Sequence, residues 1–344
     1  MAGPPRLTGD EGGPTDPAAA RATIIDVAAA AGVSRQTVTR AMNGMPGISA
    51  ETRDRVLAEA ERLAYRPSRF GRGLVLGGER QLGLVVDDLR NPYSPELAAA
   101  VVRIAASEGW NVLLADVGLS GDAARMVESL GVQTDAVIGY FGPRAAEAIA
   151  LLGSAPVVEL DPGGGTIRGA VHLDPAEAIE DLVAHLVAAG VRAPLAVDAG
   201  GLGAPSRRVA LMRAAFARHG LALPTVTADT QTAEAAAAST VQVLAGDARP
   251  DAILAFNDLM ALGVLSACRR SGVDVPGEVR VVGVDGLALG ALVTPTLTTL
   301  QVDVDQVARE ALDLAVAMLA GTAPRSGEGA HRTVRHRLLL RESA

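Results

Sequence analysis

Two rhythms of apolar and polar positions divide the chain. Between residues 24 and 63 apolar residues recur at helical spacing in short blocks. Ile24, Val27, Ala28 and Ala31 belong to the first block, Gly32 and Val33 interrupt it, and Val38 and Met42 belong to a second over residues 35–42. Thr23 with Asp26 three residues on is a capping-box-like start, and Ser34 caps the second helix. Residues 43–47 read as a loop, Ser49 opens a third helix carrying Val56, Ala60 and Leu63 on one face, and Pro67 ends it. Two short helices joined at a tight glycine turn predict a helix-turn-helix, with Val27, Ala31, Val33, Val38 and Met42 as its core. From residue 81 the rhythm changes. Apolar runs at 82–86, 111–115, 136–140 and 156–160 alternate with helical stretches at 95–108, 121–130 and 143–152. A second set follows, with runs near 170–173, 194–197, 225–227, 252–255 and 280–284 and helices at 175–189, 205–219, 232–245 and 258–271. Such alternation predicts mostly parallel, doubly wound sheets, and two tandem sets predict two α/β subdomains with a cleft between them. The expected fold is a small all-α helix-turn-helix head on an α/β body of two doubly wound parallel-sheet subdomains.

Each part carries its own chemistry. The second helix presents Arg35 and Gln36 at its start and Arg40 a turn later. Arginine pairs bidentately with guanine and glutamine with adenine in the major groove. Thr23, Ser34, Thr37, Thr39, Asn43, Ser49 and Thr52 are expected at phosphates, together with helix N-terminal amides. A three-helix protein-binding module with solvated arginines is the alternative on spacing alone. In the body, polar residues follow the strands: Asp87, Asp88, Asn91, Tyr93 and Ser94 after the first, Asp161 after the fourth, then Asn257-Asp258 and Asp285. Ligands of such sheets sit at the C-terminal strand ends. Carboxylates and amides with few aromatics suit a hydroxyl-rich ligand such as a sugar. Taken singly, each of these residues could merely cap the next helix.

Composition sharpens the division. The 344 residues are 49% hydrophobic and only 2% aromatic, so Ala, Val and Leu must fill a substantial core. The lone Cys268 excludes an intrachain disulfide and a zinc ribbon. No apolar run approaches the roughly 20 residues of a bilayer span, and no membrane partner is expected. The first 20 residues, rich in Gly and Pro, read as a disordered tail rather than a signal peptide. Net charge is −8, yet residues 21–80 hold ten arginines against six acids, which makes that segment +4 and the remainder −12. A basic head on an acidic body is the footprint of a protein whose head meets nucleic acid.

The residues Ile25-Asp26-Val27-Ala28, Ala31-Gly32-Val33-Ser34, Thr37-Val38, Arg40, Asn43-Gly44, Thr52-Arg53, Val56, Leu63 and Tyr65-Arg66-Pro67 resemble the head of the lac repressor (LacI/GalR) family. The likeness continues through Asn91-Pro92-Tyr93, residues 251–263, Val275-Pro276-Gly277, Val281-Val282-Gly283-Val284-Asp285, residues 295–299 and Leu340-Arg341-Glu342-Ser343. The resemblance implies a transcriptional regulator, a repressor in function, with a periplasmic-binding-protein-like body. It puts Arg35, Gln36 and Arg40 at base-reading positions and Leu74 at a minor-groove wedge in a hinge. Effector positions fall on Asn91, Tyr93, Asp161, Arg208, Asn257, Asp285 and Gln301, with Arg208 and Asp285 on opposite walls. The implied partners are a pseudo-palindromic double-stranded DNA operator, a carbohydrate-like effector and a second copy of the chain, in the cytoplasm at the nucleoid. The implied domains are a tail (1–20), a head (21–66), a hinge (67–79), a first subdomain (80–172 plus about 299–322) and a second (173–298 plus about 330–341). Departures from the family pattern are Ser68, Gly71 and Gly73 in the hinge, Leu211 near Arg208, Thr230 where an aromatic platform is frequent, and Gly286 in place of a second Asp.

Other functions find little support. Gly201-Leu202-Gly203 lacks the third glycine of a dinucleotide fingerprint. Five dispersed histidines show no metal spacing, no nucleophile motif occurs, and no metal or cofactor is expected. Single histidines read as surface groups. A sugar-binding protein without DNA function would share the body and lack residues 22–77. No heptad segment follows the last strand, so the expectation is a homodimer without a coiled-coil tetramer.

Overall fold

The computed structural model describes residues 24–42, 45–63, 80–118, 123–142, 145–153, 155–162, 168–199, 205–246 and 249–344. Thr23, Asn43, Leu74, the expected tail and hinge, and the glycines at 163–165 and 201–203 lie outside them. The chain divides into two compact units, residues 1–78 and 79–344.

The first unit holds α1 (Ile24–Ala31), α2 (Arg35–Met42) and α3 (Ala50–Arg62). Gly32 takes φ +65°, which lets the Val33 N–H reach back to the Ala28 carbonyl at 3.0 Å and close the first helix. Two residues later Ser34 starts α2. Val27, Val38 and Val56 are fully buried, one from each helix, with Ala28, Ala31, Ala41 and Ala60 around them. Val33, Met42 and Leu63 pack on this core from its margin. The core is small, which is why alanines suffice and why the caps matter.

The second unit has two lobes. The first sheet comprises β1 (Arg80–Val86), β2 (Trp110–Asp116), β3 (Ala136–Gly139), β4 (Val157–Leu160), β5 (Gly169–Asp174) and β11 (His331–Arg335), in the spatial order β11-β5-β4-β3-β1-β2, all parallel. The second comprises β6 (Pro194–Ala199), β7 (Thr225–Ala228), β8 (Ala252–Ala255), β9 (Arg280–Asp285), β10 (Thr298–Gln301) and β12 (Arg337–Leu339), in the order β12-β10-β9-β8-β6-β7, with only β12 antiparallel. Helices α4 (Tyr93–Ser107), α5 (Ala123–Gln133) and α6 (Ala145–Leu151) serve the first lobe. The second has α7 (Ala176–Ala188), α8 (Arg207–Arg218), α9 (Ala233–Leu244) and α10 (Asp258–Arg270). The last helix, α11 (Val304–Ala320), returns to the first lobe.

Both faces of each sheet are covered, the arrangement that parallel strands require. In β1, Leu82, Leu84 and Val86 meet α4 and α11, while Val85 meets α5 and α6. In the second lobe Leu254 and Val282 pack under α7 and α8, and Ile253 and Val281 under α9 and α10. The chain passes between lobes three times: after Asp174, after Gln301 and at His336. These crossings correct two expected boundaries. Residues 298–301 pair with β9 and β12 in the second sheet, so the first lobe's return begins after Gln301 rather than at about 299. Residues 331–335 pair with β5 in the first sheet, so the second lobe resumes at about 336 rather than 330. Strand membership is decided by pairing with β9 and β12 for residues 298–301 and with β5, some 160 residues earlier, for residues 331–335, and nothing in these short runs encodes it locally.

Candidate functional site

The head exposes one side of α2. Arg35, Gln36 and Arg40 are solvent-accessible, whereas Val38 and Ala41 face the core. The small polar residues expected at phosphates have structural uses. Ser34 Oγ accepts the Thr37 N–H at 3.1 Å and pairs with the Thr37 hydroxyl at 2.9 Å. Ser49 Oγ does the same for Thr52, at 3.1 and 2.9 Å. The Thr39 hydroxyl donates to the Arg35 carbonyl at 3.0 Å. Hydroxyls that cap a helix still leave its N-terminal amides facing outward, so a cap and an anion contact are compatible roles.

In the body the C-terminal strand ends of the two lobes bring polar groups together. From the first lobe come Asn91, Tyr93 and Asp161. Asn91 Oδ1 accepts the Tyr93 N–H at 3.2 Å, and the Tyr93 hydroxyl lies 2.8 Å from that of Tyr140, the rings edge to face at 6.1 Å. Burial raises both phenols above their ordinary range. Asp161 adopts φ +44°, and its Oδ1 accepts the Leu173 N–H at 3.3 Å. Arg207, from α8 of the second lobe, reaches Asp161 across the gap at 3.8 Å.

From the second lobe, Arg208 donates through Nη1 to the Phe256 carbonyl at 3.0 Å. It lies over the Phe256 ring at 4.9 Å and stands 3.8 Å from Asp285. Arg208 and Asp285 therefore share a lobe and pair with each other, contrary to their expected places on opposite walls. Both follow from one topology: α8 starts at the C-terminal edge of the sheet, where β9 ends. Asp285 is buried at φ +125°, a backbone conformation costly for a non-glycine residue. Burial pushes its carboxyl up to about 8, against the pull of Arg208 and with the help of Asp258, Asp87 and Glu96.

Asn257 and Asp258 divide their labour. Asn257 Oδ1 caps α10 through the Met260 N–H at 2.8 Å. Asp258, fully buried, accepts the Thr299 hydroxyl at 2.6 Å and the Leu287 N–H at 2.7 Å, and burial pushes it up to about 6. The Thr299 oxygen in turn accepts the Gly286 N–H at 3.2 Å. Asp258 thus fixes the turn that carries Asp285. Gly286, at φ +82°, lies so close to Gln301 that a Cβ would stand 2.8 Å from the Gln301 Cα. The second carboxylate frequent in the family has no room here.

A cavity of about 400 Å³ adjoins this turn, lined by Glu96, Asp285, Gly286, Gln301, Arg335 and Arg337. Glu96 belongs to the first lobe and accepts the Ala288 N–H of the second at 3.3 Å. A larger crevice of about 850 Å³ runs past Glu177, Asp181, Gln306, Arg335, His336 and Arg337, and none of the expected effector residues lines it. Its size therefore carries less weight than the convergence of Asp161, Arg208 and Asp285. Sequence reasoning missed three groups in this region: Arg207, Asp258 as a buried anchor rather than a cap, and His336. For His336 the only signal was a histidine at a buried position of an alternating strand. Among the described residues no group of three or more His, Cys, Asp or Glu side chains could hold a metal ion.

Residues 23–68 match the model of the bacterial regulatory proteins of the lacI family, and residues 183–344 match that of the periplasmic binding protein-like domain. The regulator AscG of Escherichia coli (strain K12) is 31% identical over 313 residues, 87% of this chain and 92% of that protein. Catabolite control protein A of Priestia megaterium is 30% identical, over 80% of this chain and 86% of its own. A LacI family transcriptional regulator from Arthrobacter sp. FB24, solved in complex with lactose, is 37% identical with a TM-score of 0.73, over 78% of this chain and all of that one. The lac repressor dimer bound to operator and the anti-inducer ONPF is 26% identical with a TM-score of 0.69, over 94% of this chain and 98% of its own.

Proposed function

The chain belongs to the LacI family of DNA-binding transcriptional regulators, and from that premise we propose that it is a repressor released or engaged by a carbohydrate. The observation that carries the proposal is α2: an exposed row of Arg35, Gln36 and Arg40 on a helix whose other side is locked into the head core. In this reading those three side chains read base edges. Ser34, Thr37, Thr39, Ser49 and Thr52, with Thr23 and Asn43, hold the backbone, and Leu74 enters the minor groove. The ligand enters between the lobes, meeting Asn91, Tyr93 and Asp161 on one side and Arg208, Asn257, Asp285 and Gln301 on the other. A ligand that binds both walls favours one lobe angle, and its differential affinity for the two angles sets how far operator affinity moves. The lactose held by the Arthrobacter relative supports a neutral sugar. The protein acts by binding rather than catalysis, as a homodimer on a pseudo-palindromic site, in the cytoplasm at the nucleoid.

Selection of bound sequences from random DNA, followed by a sugar screen on the recovered operator, tests this. A two-fold symmetric consensus whose binding shifts with one sugar is expected. Arg35→Ala should relax one position per half-site and cost about 1–3 kcal/mol. Equal weakening on every sequence would make Arg35 a phosphate contact, and recovery of no consensus would leave a binding protein without DNA function.

A further inference from the structure

Two arginines open α8, against the preference of a helix start. Arg207 and Arg208 follow the Ser206 cap directly, and the first turn holds no acid. Cations there face the positive end of the helix dipole and would be favourable only at the other end. Arg208 is compensated within its own lobe, by the Phe256 carbonyl and ring and by Asp285. Arg207 finds its counter-charge in the other lobe, where its Nη1 stands 3.8 Å from Asp161 Oδ1. Asp161 is fixed in place at the end of β4. Its backbone N–H donates to the Val171 carbonyl at 2.8 Å, its Oδ1 accepts the Leu173 N–H at 3.3 Å, and its φ of +44° is a conformation uncommon for a residue other than glycine.

The separation of the pair decides what it can do. At 3.8 Å the charges attract, yet the distance is too long for an N–H···O hydrogen bond. Each group therefore keeps hydrogen-bonding capacity toward the gap. Both are within reach of a ligand, since the Arg207 side chain is 53% exposed and that of Asp161 28%. A guanidinium only donates and a carboxylate only accepts. A ligand group that serves both must accept from one and donate to the other, which a hydroxyl does. A ligand carboxylate or phosphate would be repelled by Asp161, and an ammonium by Arg207. We propose that Arg207 is a ligand-contacting, specificity-determining residue of the effector site: it donates to one hydroxyl of the bound sugar, and that hydroxyl donates to Asp161. One oxygen then joins the two lobes, and the contact favours the lobe angle at which both partners reach it. The assignment rests on the carbohydrate reading above and deepens it by naming the pair that selects one hydroxyl of the ligand.

The test uses the full-length protein in isothermal titration with lactose and its monodeoxy analogues, alongside thermal unfolding without ligand. Where the screen above recovers a different sugar, that sugar and its deoxy analogues take the place of lactose. Arg207→Met should weaken the parent sugar about tenfold or more, the loss expected of a hydrogen bond to a charged group. One deoxy analogue should bind wild type and variant equally, because the hydroxyl that Arg207 meets is already missing, and the same analogue should be the one least affected by Asp161→Asn. Arg207→Lys, which keeps a cationic donor, should recover part of the loss. Without ligand, Arg207→Met should unfold at the temperature of wild type or higher, since it removes a half-exposed cation from a helix start. Undiminished affinity of Arg207→Met would overturn the assignment. So would an equal loss for every analogue, which would make Arg207 a clasp between the lobes, or unfolding several degrees lower, which would make it a structural residue. A wild type that binds no sugar at all would overturn the carbohydrate reading, and the assignment with it.

Discussion

At the scale of single residues, Asp285 concentrates the cost of the site. Its carboxyl is buried and held at φ +125°, opposed by Asp258, Asp87 and Glu96 and drawn the other way by Arg208. The folded state therefore binds its proton more tightly than the unfolded chain does. The sign follows from linkage: this group stabilises the fold fully below the ordinary carboxyl range near 4, and the contribution is lost as pH rises towards about 8. Asp285→Asn removes the titration while keeping the shape. The variant should match wild type near pH 4 and exceed it at pH 8, by an amount on the order of a few kcal/mol. Urea unfolding across that range measures the difference, and parallel curves for the two proteins would mean that Arg208 neutralises Asp285 completely. A site that holds such a group against stability is expected where function needs it.

At the scale of elements, the helices of the head were legible in the sequence because their signals are local. Ser34 and Ser49 cap, Gly32 turns the chain, and the apolar spacing marks the buried face; α1 and α2 fall at residues 24–31 and 35–42 as read. The sheets were legible in kind for the same reason. What was not legible depends on distant partners. The membership of Thr298–Gln301 and His331–Arg335 in one sheet or the other is set by register with β9 and β5. The pairing of Arg207 with Asp161 is set by the approach of two lobes. His336 read as a surface group because its burial is a property of the crossing, not of its neighbours in sequence. The cap of α2 also poses a question that only substitution answers, since Ser34 serves the helix whether or not it meets DNA. Ser34→Asp keeps a capping oxygen and places a negative charge at the helix start. The head should retain its stability in that variant and lose operator affinity at least tenfold through repulsion of a phosphate. Ser34→Ala should instead lose about 1 kcal/mol of stability. Unchanged DNA binding by Ser34→Asp would leave Ser34 a cap only.

At the scale of the whole molecule, each lobe leaves apolar surface that its own fold does not use. In the first lobe β2 is the edge of the sheet, paired among the described residues with β1 alone, and Leu114 on it and Val102 on the adjoining α4 are both exposed. In the second lobe Leu289 and Leu292 follow the turn that Asp258 anchors, and Leu292 is 80% exposed. Unpaired strand edges and exposed leucines are liabilities unless something covers them. A second copy seated on these faces would join oligomerisation to function, because one helix-turn-helix reads only a half-site and two linked heads bind with the advantage of a second, intramolecular contact. Charges on this surface should separate the copies without touching either ligand site. Val102→Glu with Leu114→Glu, and separately Leu292→Glu, should sediment as monomers at micromolar concentration where wild type is dimeric. Their affinity for the full operator should fall by about a hundredfold or more, while sugar binding, which uses the two lobes of one chain, stays within a few-fold. Variants that remain dimeric would put the interface elsewhere on the body. Monomers that hold the full operator as tightly as wild type would detach dimerisation from recognition and leave each head reading its site alone.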